Sequence, residues 1–200
     1  MNERRLLLIF VRNPELGKVK TRLAQTLGEE KTLKVYQKLL DHTRQITDTL
    51  SCDKAVYYNE SVTDLDLWGG HNYQKKLQPE GDLGLKMEEA FRQAFADGYQ
   101  SVLIIGSDCY ELTNEIIEQA FLHLHTHDVV IGPAKDGGYY LLGMQEFMPE
   151  VFKNIDWSSE KVQSQTTKTL DKLEKTYAFL PWLNDVDEEK DLAPELLEGL

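Results

Sequence analysis

The chain has 200 residues, of which 41% are hydrophobic, and it carries a formal net charge of -12. This length and apolar content bury one sizeable core, so a single domain over residues 1–200 is expected, and the negative charge excludes general binding to a nucleic-acid backbone. The early apolar run Leu6–Val11 is too short for a membrane span and has no small-residue cleavage site after it, while the two separated cysteines, Cys52 and Cys109, build neither a CxxC pair nor a zinc site, so a reducing cytoplasm is expected.

Taken in chain order, Leu6–Val11 reads as a buried strand, and Leu33, Tyr36, Leu39, Leu40, Ile46 and Leu50 fall near helical spacing after Gly28. Ala55–Tyr58 is a second short strand. Met87, Ala90, Phe91, Ala94 and Phe95 trace a helical stripe that stops at Asp97-Gly98, with Gly98 as its C-terminal cap. Val102–Ile105 is a continuous apolar run ending in Gly106-Ser107-Asp108, after which Thr113 caps a helix carrying Ile116, Ile117, Ala120, Phe121 and Leu124. Val129–Ile131 and Tyr139–Leu142 are strands joined through residues 132–138 by a hairpin or by a broader loop over a site. Ser158 or Ser159 starts a helix reaching about Lys175, Tyr177–Leu180 is a further strand, and a last helix follows Asp187. Strands alternating with helices predict an α/β fold.

In such sheets ligands collect beyond the carboxyl ends of the strands, so the loops after Val11, Ile105 and Ile131 face one crevice. The first loop holds Arg12, Gly17, Lys18, Lys20 and Arg22 against the single acid Glu15, a basic island in an acidic protein. It suits a diphosphate, although it lacks Walker A spacing, and a solvated turn is the competing reading. Asp108 directly follows a buried strand, where a carboxylate can hold Mg²⁺ or Mn²⁺. Asp185 and Asp187, two apart, present both carboxylates to one side; equally, Asp187 caps the last helix and Asp185 stays in solvent. His123, His125 and His127 sit in the last turn of a helix, where the dipole favours them without any metal, and Cys109 reads as a small buried hydrophobe.

Across nearly its whole length the chain resembles the glycosyltransferase-A-like family of radical-SAM/selenodomain-associated transferases. That family is related to 2-phospho-L-lactate guanylyltransferase and molybdenum-cofactor guanylyltransferase. The resemblance is carried by FVRNPELGKVKTRL from Phe10 to Leu23, GDLG from Gly81 to Gly84, GSDC from Gly106 to Cys109, GPAKDGGYYLLG from Gly132 to Gly143, Trp157-Ser158, and DVD at Asp185 to Asp187. It implies a nucleotide-diphospho-sugar transferase (GT-A, Rossmann-like) fold with a mixed, mostly parallel sheet flanked by helices. It further implies nucleotide binding by Arg12, Gly17, Lys18, Lys20, Arg22, Asp82 and Gly84, and acceptor binding by Gly132, Asp136, Gly137, Gly138 and Tyr139. Asp108, Asp185 and Asp187 would hold Mg²⁺ or Mn²⁺, with Asp108 and Lys20 as the catalytic pair. The chain departs from the family pattern at Leu16 and Tyr110, where proline is usual, and at Glu188-Glu189, where Thr-Pro is usual.

The expected activity is therefore metal-dependent transfer from a nucleotide-activated substrate to a small-molecule acceptor. It is either glycosyl transfer from a nucleotide sugar, with Asp136 a candidate base, or nucleotidyl transfer to a phosphorylated acceptor, which needs no covalent nucleophile. The alternative is a non-catalytic nucleotide-binding or partner-docking protein on the same fold.

Overall fold

The computed structural model describes residues 3–63, 66–69 and 72–200. Its seven strands are β1 (Arg5–Val11), β2 (Asp53–Tyr58), β3 (Gln74–Leu77), β4 (Ser101–Ile105), β5 (Val129–Pro133), β6 (Tyr139–Met144) and β7 (Tyr177–Phe179). They form one sheet in the order β3-β2-β1-β4-β6-β5-β7. Only β6 runs against its neighbours; β1 pairs in parallel with β2 and β4, β2 with β3, and β5 with β7. The fold is thus the expected mixed, mostly parallel α/β sheet.

Burial on both faces explains the continuous apolar runs of the central strands. Leu7, Ile9 and Val11 of β1 and Leu103 and Ile105 of β4 face helices α1 (Thr21–Leu27), α2 (Glu29–Asp48), α4 (Asn114–Leu124) and α6 (Pro194–Leu197). Leu6, Leu8, Val102 and Ile104 face α3 (Leu83–Ala96), α5 (Val162–Lys172) and a short 3-10 turn at Pro149–Phe152. Among the described residues no helix is long and apolar enough to cross a membrane.

Several expectations hold closely. Thr113 caps α4 by accepting a hydrogen bond from Ile116 N, and α3 ends in a Schellman turn in which Gly98 (φ +84°) donates to Phe95 O and Tyr99 N to Ala94 O. β5 and β6 form a hairpin rather than an open loop.

Four boundaries differ, each for a local reason. The first loop gives way at Thr21 to α1, so Arg22 lies on a helix. β3 escapes the apolar pattern because its sequence, QKKL, belongs to an edge strand with little burial. The helix expected from Ser158 or Ser159 begins only at Val162: Ser158 has φ +61°, and Ser159 Oγ donates to Asp156 O and accepts from Lys161 N. After Asp187 the cap is Glu188, paired with Asp191 in a capping box over the 3-10 turn Glu189–Asp191, so Asp187 is free for other partners.

Candidate functional site

Beyond the carboxyl ends of β1 and β4 lies a cavity of about 880 Å³ whose lining includes Arg12, Asp82, Asp108, Tyr139 and Asp185. Tyr36 on α2 joins the first two loops: its hydroxyl accepts from Arg12 N (2.8 Å), donates to Arg12 O (3.1 Å) and lies 3.3 Å from Ser107 Oγ. The loop after β2 is tied in by Asn59, whose Oδ1 accepts from Asn13 N at 2.6 Å.

Chain direction explains how Asp185 reaches Asp108 across more than seventy residues. After β7 the chain keeps following β5: Leu180 N donates to Ile131 O, Leu183 N to Pro133 O, and Lys135 N to Leu183 O. Tyr140 Oη adds a bond to Pro181 O, and Val186 N then donates to Asp108 O at 2.9 Å. These backbone bonds set the flanking Asp185 and Asp187 beside the end of β4.

Lys20 is the electrostatic centre. It adopts the left-handed conformation (φ 45°, ψ 49°) just before α1, at a cost of about 1–2 kcal/mol for a residue with a Cβ. Its ammonium is 2.7 Å from Asp108 Oδ2 and 3.1 Å from Asp187 Oδ1, with only 6% of the side chain exposed. Burial alone would lower its pKa, but Asp108 and Asp187 more than offset that and hold it above the ordinary lysine value. Arg22 meets the other oxygen of Asp187 at 2.5 Å.

Asp185 has no hydrogen bond or ion pair among the described residues. Crowding by protein, then the charge of Asp108, pushes its pKa up to about 7, with Lys20 pulling the other way and Asp136 and Asp187 adding to the rise. Cys109 lines the same wall, and burial followed by Asp185 raises its thiol pKa, which keeps it neutral.

The remaining expected residues separate into groups. Lys18 turns away from Asp108, because its ammonium pairs with Glu15 (2.8 Å) and Glu60 (3.1 Å). Gly17 (φ +74°) serves the turn beneath it. Asp82 lines the cavity but also caps α3, Oδ1 accepting from Leu85 N at 2.9 Å. A Cβ on Gly84 would lie 2.1 Å from Trp157 Nε1, so the GDLG and Trp157-Ser158 motifs are two halves of one packing contact. Gly132 is pressed against the Tyr140 ring and Gly137 (φ +90°) against Glu160 backbone, so these glycines serve close packing. Asp136 is exposed, and its Oδ1 accepts from Gly138 N at 2.9 Å in a local turn. Gly84→Ala is expected to cost about 1–3 kcal/mol by overpacking against Trp157, measured by urea denaturation.

Sequence reasoning missed Tyr36, Asn59, Gln78 and Lys86, all in the cavity lining. Tyr36 was visible only as one apolar position of α2, and Lys86 stands one residue before the stripe that begins at Met87. Among the described residues no three His, Cys, Asp or Glu side chains form a ready-made metal cage.

Comparison with known proteins places this geometry. The structure superposes on an inferred nucleotide-diphospho-sugar transferase from Desulfovibrio desulfuricans G20 with TM-score 0.87 and 35% identity, covering 94% of this chain and 84% of that one. It also resembles the inositol-1-phosphate CTP transferase from T. maritima (TM-score 0.61, 10% identity, 98% and 95% covered). A further match is the 4-diphosphocytidyl-2C-methyl-D-erythritol synthase from Anaerococcus prevotii DSM 20548 (TM-score 0.59, 9% identity, 94% and 92% covered). At such low identity these two show the shared fold alone. No curated protein sequence matches the chain. Residues 40–159 match the family DUF2064, described as "Uncharacterized protein conserved in bacteria". With that match and the 35% identical relative, the chain belongs to the DUF2064 family, built on the nucleotide-diphospho-sugar transferase fold.

Proposed function

We propose that this protein is a divalent-metal-dependent nucleotidyltransferase that joins the nucleoside monophosphate of a nucleoside triphosphate to a small phosphorylated acceptor. The observation that carries the reading is Asp185, a carboxylate without a partner beside Asp108 in the cavity lining. Two neighbouring carboxylates with one left uncompensated fit a hard Mg²⁺ or Mn²⁺ ion. Asp108 and Asp185 would hold it. Asp187, with one oxygen on Lys20 and the other on Arg22, would anchor those cations, and the motif resemblance makes it the third ligand of the same ion. Once bound, the ion would neutralise phosphate oxygens and stabilise charge at the reacting phosphorus.

The chain's own groups supply the rest. Lys20, outside the cavity lining and fixed by Asp108 and Asp187, would add a positive charge behind the metal-binding carboxylates, and Tyr36 holds the Arg12 and Ser107 loops in register. In-line attack by an acceptor phosphate needs no general base. That favours nucleotidyl over glycosyl transfer, since Asp136, the sequence candidate for a base, is exposed and outside the cavity lining. Glycosyl transfer from a nucleotide sugar is the second reading, supported by the 35% identical relative, an inferred nucleotide-diphospho-sugar transferase. The motif resemblance to the radical-SAM/selenodomain-associated transferases is the narrower family placement that accompanies this proposal.

Product analysis separates the readings. With Mg²⁺, nucleoside triphosphates and phosphorylated acceptors should release pyrophosphate, whereas glycosyl transfer would release a nucleoside diphosphate from a nucleotide sugar. Asp108→Asn should lower turnover by about a hundredfold or more while the fold survives. Nucleotide binding with neither product would replace the proposal with a non-catalytic binding protein.

A further inference from the structure

The cations near the cavity fall into two classes. Lys20 and Arg22 are ion-paired with aspartates, and Lys18 with glutamates. Arg12 and Lys86, which line the cavity directly, form no ion pair among the described residues, although acids outnumber bases 34 to 22 in the chain. The side chain of Lys86 has one hydrogen bond, to Gln78 Oε1 at 3.3 Å. Gln78 Nε2 in turn donates to Val11 O (3.1 Å) and Tyr57 O (3.2 Å), which ties Lys86 to the backbone immediately before Arg12. Asn59 also lines this side, its Oδ1 spent on Asn13 N and its amide NH₂ left to donate. Lys86 further stands in the first turn of α3, a turn without acidic residues, where the helix dipole disfavours a cation. Asp82 is close in sequence, but one of its oxygens is committed to capping Leu85 N.

We infer that Lys86, Arg12 and Asn59 form a phosphate subsite beyond the ends of β1, β2 and β3, separate from the Asp108–Asp185 pair beyond β4. All three line the cavity with donor capacity to spare: a guanidinium without an ion pair, an ammonium whose one hydrogen bond is to Gln78, and an amide NH₂. A phosphate supplies the missing acceptors and the missing negative charge in one group. The inference deepens the proposed function and depends on it only for which substrate carries the phosphate, the nucleotide or the acceptor.

Calorimetric titrations in chelator, which isolate the protein's own phosphate ligands, test it with inorganic phosphate, glycerol 3-phosphate, CTP and GTP as probes. At least one probe should bind the wild type, and Lys86→Met should weaken it by about tenfold or more, the loss expected for one charge-assisted hydrogen bond. Lys86→Arg should recover most of the affinity, while Lys34→Met, an exposed charge control on α2, should leave it unchanged. The melting temperature of Lys86→Met should not fall, because the variant removes a cation from the positive end of a helix. A loss confined to CTP and GTP assigns the phosphate to the nucleotide, and a loss confined to glycerol 3-phosphate assigns it to the acceptor. No binding of any probe to the wild type, or Lys86→Met binding as the wild type does, would overturn the subsite. So would a weakening that Lys34→Met reproduces. If phosphate binding depends on Lys86 but no transfer product forms under any condition, the subsite stands and the transferase reading fails.

Discussion

In metal-free buffer at pH 8, Asp185→Asn is expected to be more stable than the wild type, by up to about 4 kcal/mol. The folded-state pKa of Asp185 is pushed up to about 7, from an ordinary value of 3.8, by burial and by Asp108. Between those two values the folded chain holds a proton that the unfolded chain has released. Stability therefore falls as pH rises through this window and stays at the lower level above it. Asparagine keeps the shape and carries no charge, so the variant should lose this slope. Saturating Mg²⁺ or Mn²⁺ should raise wild-type stability at pH 8 and leave the variant nearly unmoved. Urea titrations at pH 5 and pH 8 read both effects, and parallel pH profiles for the two proteins would show that Asp185 is not the strained carboxylate.

Lys20→Met should move stability the other way. The side chain of Lys20 is 6% exposed, and its ammonium is the common partner of Asp108 and Asp187. Removing it leaves two carboxylates facing Asp185 without their shared cation. The expected loss is about 3 kcal/mol, the low end for breaking a buried pair because Asp108 and Asp187 keep 43% and 29% side-chain exposure. Lys20→Arg should recover part of it, since a guanidinium still reaches a carboxylate but does not fit the space of an ammonium. Lys20→Met unfolding at the wild-type urea midpoint, with nucleotide affinity intact, would reduce Lys20 to an ordinary turn residue.

Most elements of the fold that were legible in the sequence carry a buried apolar run, a buried apolar stripe or a side-chain cap. β1 and β4 read as strands because their apolar runs contact helices on each side, and α4 was readable from Thr113 onward. Edge strand β3 has no such pattern, and α1 was hidden because its first turn lies inside the basic loop. The site shows the same division. Asp108, Lys20, Asp185 and Asp187 were legible because each follows a strand or sits in a short charged motif, and the structure gathers them. Asn59, Gln78 and Lys86 were not, since single polar residues in unremarkable sequence acquire meaning only when the sheet brings the ends of β1, β2 and β3 together. Asp187 was readable as either a cap or a ligand, and the cap reading gives way because Glu188 takes the cap and Asp187 meets Lys20 and Arg22.

The most direct test of the central claim is a calorimetric titration of CTP and GTP into the wild-type chain at pH 7.5, with Mg²⁺ and then with chelator. The account predicts that the preferred nucleotide binds at least about tenfold more tightly with the ion, and that Asp185→Asn abolishes this difference while retaining the weaker metal-free binding. Equal affinity with and without the ion, in the wild type as in the variant, would contradict a metal-dependent nucleotide site at Asp108 and Asp185.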